Sequence, residues 1–212
     1  MLIAFNKPFG VICQFSPSDD KPTLKDYINI PNVYPAGRLD TDSEGLLLLT
    51  DDGVLQARIT HPRHKAQKRY LAQVEGIATA PQLAALCHGI NLGDFTTLPA
   101  QAMAVPEPAW LWPRTPPIRV RASIPTSWIE LTISEGKNRQ VRRMTAAVGL
   151  PTLRLIRASI GRVSIEILAA QQSSISLATD NRTTTEAELE IQSQSADALL
   201  PGKFKIISTQ QL

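Results

Sequence analysis

Apolar residues along this chain come in short runs separated by Pro, Gly and Asp, and the runs follow two different periods. Leu2-Ile3-Ala4-Phe5 reads as a short strand that ends at Asn6-Lys7-Pro8-Phe9-Gly10, where Pro and Gly mark a turn. Gly45-Leu46-Leu47-Leu48-Leu49-Thr50 is apolar and bounded by polar residues, the pattern of a buried strand, and Asp51-Asp52-Gly53 closes it. Residues 68–75 alternate through Tyr70, Ala72 and Val74, and residues 128–133 alternate again, both with the period of a half-buried strand. Short helices are expected over 23–28 and 54–59, the second ended by His61-Pro62. Another opens at Thr79, a plausible N-cap with Pro81 in the first turn. A basic helix is expected over 137–148, stopped by Gly149 with Pro151 beyond. Residues 153–156 and 160–167 are further strand candidates, and 200–207 reads as a turn and a last strand. Intermixed strands and helices with short connections favour an α+β fold with a mixed or antiparallel sheet. Two stretches read as insertions: the Pro-rich Pro106–Pro117 with Trp110, Trp112 and Arg114, and the polar 171–197, expected to be a mobile loop or appendage.

Composition narrows the class. With 212 residues, 43% hydrophobic and 19% charged, the chain can bury a core and is not of disordered composition. It lacks a run of about 18 apolar residues, so no membrane helix is expected. Its first residues lack the basic region and cleavage site of a signal peptide. Cys13 and Cys87 fit reduced thiols of a cytoplasmic protein, and with 3 His and no CxxC or HExxH no metal is expected. The net charge of +3 is unevenly spread. Residues 1–53 carry 4 basic and 8 acidic side chains, 54–163 carry 15 and 5, and 164–212 carry 3 and 6. A basic middle on a near-neutral chain suggests a surface for a polyanion.

The densest motif is Gly37-Arg38-Leu39-Asp40-Thr41-Asp42-Ser43-Glu44-Gly45. Asp40, Asp42, Glu44, Gly45 and Asp51 fall at calcium-loop positions, but four leucines stand where ligands belong. Asp40-Thr41-Asp42 is also the D-x-D of aspartyl phosphatases, yet no acidic pair downstream would complete a Mg²⁺ site. An acidic surface turn is the third reading. None of the three explains Arg-Leu-Asp set between a glycine and a Gly-Leu-Leu-Leu-Leu run.

That run, GRLDTDSEGLLLLTDDG, resembles the signature of RNA pseudouridine synthases of the RsuA family. Asn6-Lys7-Pro8-Phe9-Gly10 resembles the family's K-P-x-G, and Lys68-Arg69-Tyr70 its K-x-Y. Residues 135–144 (EGKNRQVRRM) resemble its E-G-R/K-N-R-Q-V-R-R-M, and Leu155, Arg157, Ile160 and Gly161 its L-x-R-x-x-I-G. These matches run in order over residues 1–165. The resemblance implies an α+β fold with a mixed, mainly antiparallel sheet in two lobes flanking a catalytic cleft. It also implies one catalytic domain over 1–212, without the S4 domain of many relatives because the chain starts at the first catalytic strand. The EPAWLWPR and SIPTSW segments resemble a branch that acts on large-subunit (23S) ribosomal RNA, with a monomer as the default state.

Converting uridine to pseudouridine breaks N1–C1′, turns the base and forms C5–C1′. No group enters or leaves, so no cofactor is needed. The resemblance implies that Asp40 is the catalytic carboxylate, either as nucleophile or as general base. It implies that Arg142 is the cation that offsets the cost of burying an ionised Asp40, and that Tyr70 receives the flipped base. Arg38 is expected in the place left by the base or against phosphate. Arg38, Lys68, Arg69, Lys137, Arg139, Arg143 and Arg157 are the expected RNA-binding residues, with Lys65, Arg154 and Arg162 in the same basic groups. Leu155 and Ile156 are expected to back the base pocket. Trp110 and Trp112 fit either base stacking or, the favoured reading, core packing. The competing class is a noncatalytic RNA-binding or ribosome-assembly protein, which would not need Asp40, Tyr70 and Arg142 together.

Overall fold

The structure is a computed structural model and describes residues 1–61, 66–119, 121, 123–166 and 200–209. The expected segment 171–197, Lys65 and Ile167 lie outside these residues. The strands are β1 (Leu2–Lys7), β2 (Tyr34–Pro35), β3 (Glu44–Thr50), β4 (Lys68–Glu75), β5 (Gln101–Val105), β6 (Thr126–Ile133), β7 (Thr152–Ile160), β8 (Val163–Ser164) and β9 (Phe204–Ile207). The helices are α1 (Gly53–Thr60), α2 (Ala80–His88) and α3 (Gln140–Ala147), with a single 3-10 turn at Leu24–Asp26. One sheet runs in the order β5-β6-β4-β7-β3-β1-β9, with β2 on β3 and β8 on β7.

Every pairing among the described strands is antiparallel except β3 with β7. That parallel pairing is two residues long, Glu44 opposite Ile156 and Gly45 opposite Arg157. The sheet is therefore two antiparallel halves joined along a short seam, the two-lobed α+β architecture expected from the sequence.

Strand alternation sorts the apolar side chains into three cores. One face carries a single core under both halves, holding Leu2, Ala4, Leu46, Leu48, Leu71 and Ile156, and α1 adds Leu55 and Ile59. On the other face there are two cores. Ile3, Phe5, Leu47 and Leu49 pack with Val11, Leu24 and Ile28 under one half. Tyr70, Ala72, Ile129 and Leu155 pack with Leu86, Val141 and Met144 of α2 and α3 under the other. The loop between β2 and β3 threads the seam, with Ala36 buried in the continuous core and Leu39 in the core beneath α2 and α3.

Local chemistry explains the helix ends. Asp52 caps α1 by accepting the Val54 and Leu55 N–H groups at 2.8 and 3.0 Å. Thr79 and Gln82 form a capping box at the start of α2. The basic helix starts later than its sequence suggests. Arg139 is left-handed (φ +49°) and serves as the N-cap of α3, so 137–139 form a turn and not the first helical residues. The strand candidates 153–156 and 160–167 are also redrawn: β7 is continuous, and Gly161-Arg162 turns the chain into the short β8.

The Pro-rich 106–117 stretch enters the core through Trp112, with Trp110 and Leu111 packed against it. Trp112 is buried, and its indole N–H donates to Glu44 Oε2 at 2.8 Å. Arg154 donates to the same carboxylate through Nε (2.8 Å) and Nη2 (2.9 Å), and Nη2 also meets the Trp112 carbonyl at 3.0 Å. Glu44 is 2% exposed and Arg154 4%, so this fork ties β3 to β7 across the seam in a water-poor setting. Removing one partner of such a pair strands the other charge. Glu44→Ala is expected to lower unfolding stability by about 3–5 kcal/mol, measured by urea denaturation. The double replacement Glu44→Leu with Arg154→Met is expected to lose less than Glu44→Ala alone.

Candidate active site

The segment from Arg38 to Ser43 lies outside the sheet before β3 begins, so its carbonyls need donors from elsewhere. Several other segments of the chain supply them. Arg157 Nη1 donates to the Arg38 carbonyl at 3.3 Å, and Arg157 Nε to the Leu46 carbonyl at 2.7 Å. The Gly10 N–H donates to the Thr41 carbonyl at 2.8 Å. Arg142 Nη2 donates to the Asp42 carbonyl at 2.6 Å. The Ser43 N–H closes a turn on the Asp40 carbonyl at 3.0 Å. Gly45 lets the two halves meet: at φ +102° it lies so close to β7 that a Cβ would sit 2.4 Å from the Arg157 carbonyl oxygen.

This scaffold presents Asp40 half exposed, its carboxylate 3.8 Å from Arg139 Nη1. The expected direct pair with Arg142 is not formed; among the described residues no ion pair within 4 Å joins the two. Arg142 instead bonds the Asp42 and Thr152 carbonyls, and its Nε lies 3.4 Å from Asp42 Oδ2. Burial holds the Arg142 guanidinium below its usual range, opposed by Asp42 and, further down the order, by Asp40. Arg139 grips Asp42 with both ends of its fork, at 3.1 and 2.7 Å. Burial alone would raise the Asp42 carboxyl, but the Arg139 hydrogen bonds and the charges of Arg142 and Arg139 carry it below its ordinary value.

Tyr70 lies on the face of Leu39, Val141 and Leu155, in the core that the Asp40 loop and α3 both enter. The seam thus brings the neighbours of Asp40 and Arg142 together with Tyr70. Lys68, two residues along the same strand, shares that face by alternation. Its pKa is lowered by burial and then by the charge of Arg157.

Several expected RNA contacts are placed otherwise. Arg157 is 5% exposed and occupied with loop carbonyls, so it lies beneath the loop and not on an RNA-facing surface. Arg154 is buried on Glu44. Arg69 points to the opposite face from Lys68, where Glu130 (2.8 Å) and Glu166 hold it. Arg143 is tied to Asp94 and to the Leu92 carbonyl. Ile156 cannot share a pocket wall with Leu155, because adjacent strand residues face opposite ways and Ile156 belongs to the continuous core. Arg38 and Lys137 are exposed, Lys137 over the Phe95 ring at 3.6 Å. Trp112 packs in the continuous core with Trp110 against it, as the packing reading held.

Sequence reasoning missed the second tier of the site. Asp42, Glu135 and Gln140 were seen only as parts of motifs. The Gln140 side chain accepts the Lys137 N–H at 3.0 Å and donates to Glu135 at 2.6 Å, fixing the turn that delivers Arg139. Lys7 is fully buried and donates to the Pro8 and Val11 carbonyls, both at 2.9 Å. Polar Lys7 ending an apolar strand was the available signal. Among the described residues no group of acidic, His or Cys side chains could hold a metal ion. The acidic residues of the calcium-loop reading are engaged elsewhere: Glu44 with Arg154, Asp42 with Arg139, and Asp51 with the N-terminus.

Residues 1–147 match the RNA pseudouridylate synthase family model, and the chain belongs to that family. It is 56% identical over 171 residues to the ribosomal large subunit pseudouridine synthase E of Xanthomonas axonopodis pv. citri (strain 306), covering 80% of this chain and 90% of that one. It is 52% identical to the protein of the same name from Vibrio vulnificus (strain CMCP6), covering 79% and 71%. A crystal structure of a pseudouridylate synthase superposes with a TM-score of 0.67 at 28% identity, covering 99% of this chain and 71% of the other.

Burial lowers the Lys7 amine from 10.5 to about 8, with Arg157 acting in the same direction and Cys13, Glu44 and Asp42 against it. The unfolded chain therefore holds this proton more tightly between about pH 8 and 10.5, and stability from this position rises through that window. Urea unfolding at about pH 7.5 and about pH 10 is expected to show a smaller gain with pH for Lys7→Met than for the wild type.

Proposed function

We propose that this chain isomerises a specific uridine of 23S ribosomal RNA in the cytoplasm, as a monomer with one catalytic domain, and that Asp40 is its catalytic carboxylate. The observation that carries the assignment is the pinned loop. It presents Asp40 at the seam, half open to solvent, with Arg139 3.8 Å away and the Tyr70 core beside it. The large-subunit substrate is supported by the names of the two relatives reported above.

A uridine inside a helix keeps its glycosidic bond out of reach of a carboxylate, so the nucleotide has to swing out. Tyr70 and Leu155 supply the apolar wall against which the extruded base rests. Asp40 then acts as a nucleophile on the sugar or the base, or as a general base on a sugar proton, and the N1–C1′ bond breaks. The freed base turns within the pocket, C5 bonds to C1′, and in the same stage the bond made to Asp40 breaks or the proton that Asp40 took returns to the sugar. The proton lost from C5 is balanced by the one gained at N1, so the product is an isomer of the substrate. Holding the freed base in the pocket is a positional task, met by rigid walls.

The test uses a 23S rRNA fragment that the wild-type protein modifies. Asp40→Asn is expected to lower the rate of pseudouridine formation on the order of 10⁴-fold while RNA affinity stays close to wild type. Wild-type turnover in Asp40→Asn contradicts the assignment.

A further inference from the structure

The four-charge cluster above the loop is bonded in a way that leaves one contact unmade. Arg139 holds Asp42 with two good hydrogen bonds. Arg142 Nε is buried, lies 3.4 Å from the same carboxylate, and has no hydrogen-bond partner among the described residues. Asp42 has thus been captured by the outer arginine at the expense of the inner one. The two arginines differ in what ties them down. The Arg139 side chain is 46% exposed, and the carboxylate is its bonded partner. Arg142 is 13% exposed and is anchored to the Asp42 and Thr152 carbonyls. A solvent-facing ion pair is weak and easily exchanged, and a guanidinium fork suits a phosphate as well as a carboxylate.

From this geometry we infer that Asp42 is a positioning residue that couples RNA binding to the active site. A backbone phosphate of the bound RNA takes the Arg139 fork, and the released Asp42 carboxylate turns onto Arg142 Nε. Arg142 is then held at both its Nε and Nη2 edges by residue 42, two residues from Asp40. In the RNA-free protein Asp42 screens Arg139; in the complex it orients Arg142. In the exchange Asp42 passes from Arg139 to Arg142 while Arg139 takes the phosphate, so the carboxylate is not left unpaired. The left-handed N-cap explains why Arg139 is the arginine that leaves. It lies on the exposed turn ahead of α3, one helical turn before the anchored Arg142.

This inference rests on the proposed function, but its test separates the two. Binding is measured with a single-stranded oligouridylate as a function of salt, and turnover with the 23S rRNA fragment. Asp42→Asn removes the competing charge and is expected to tighten oligouridylate binding about two- to fivefold. It is also expected to lower kcat while KM falls, a split that simple loss of structure does not produce. Arg139→Ala is expected to reduce the slope of log affinity against log salt by about 0.7–0.9, the share of one phosphate contact. Unchanged or weaker binding by a folded Asp42→Asn, or an unchanged salt slope in Arg139→Ala, overturns the exchange. If Asp42→Asn does not fold by circular dichroism, the Arg139→Ala slope decides alone. A wild-type protein that binds oligouridylate yet modifies no rRNA refutes the proposed function and leaves the exchange to be judged on binding.

Discussion

Backbone carbonyls taken out of a sheet have to find donors, and the six residues from Arg38 to Ser43 depend on that requirement. They leave β2, cross from one core to another and re-enter the sheet at β3. Donors that meet them come from Gly10, Arg142 and Arg157, each carried by a different motif of the chain. Read this way, the motifs are grips on one loop. Three distant stretches of sequence converge because the segment bearing Asp40 has no strand partner of its own along most of its length.

The seam that the loop crosses is thin. Two residue pairs join β3 to β7, and two arginines of β7 reinforce them from opposite faces. Arg154 reaches Glu44 and the Trp112 carbonyl on one side, and Arg157 reaches the Arg38 and Leu46 carbonyls on the other. Residues 154 and 157 are an odd number apart, so strand alternation sends them to different faces. A short parallel contact between two antiparallel halves keeps the halves distinct, while buried polar links fix their mutual placement. Fixed placement of the halves keeps Asp40, Arg139, Arg142 and the Tyr70 face in register.

Much of this was legible in the sequence, for identifiable reasons. The all-apolar 46–49 run, the alternation at 70–74 and the Thr79–Gln82 box each obey a local rule, and β3, β4 and α2 follow it. The motif spacing named the loop, and the loop is where the chain concentrates its polar grips. What the sequence concealed was which basic residues are spent inside. Arg154, Arg157 and Arg69 look like Lys137 and Arg38 in a linear reading. Only the strand alternation, with the positions of Glu44, Glu130 and the loop carbonyls, separates interior clamps from surface charges. The same blindness made Pro106–Pro117 resemble an insertion, since nothing in that stretch announces that Trp112 meets a glutamate 68 residues earlier. Ile156 and Leu155 were paired because they are adjacent, although adjacency in a strand is what parts them.

A buried clamp, and not an RNA contact, holds the Asp40 loop in position. The most direct measurement is the single-turnover rate and the RNA dissociation constant of Arg157→Lys and Arg157→Met, with thermal unfolding recorded alongside. The expected result is a rate reduced about 10- to 100-fold, because a small displacement of Asp40 suffices, with RNA affinity and its salt dependence unchanged. A folded variant that turns over at the wild-type rate but binds RNA more weakly, with a shallower salt dependence, would contradict it.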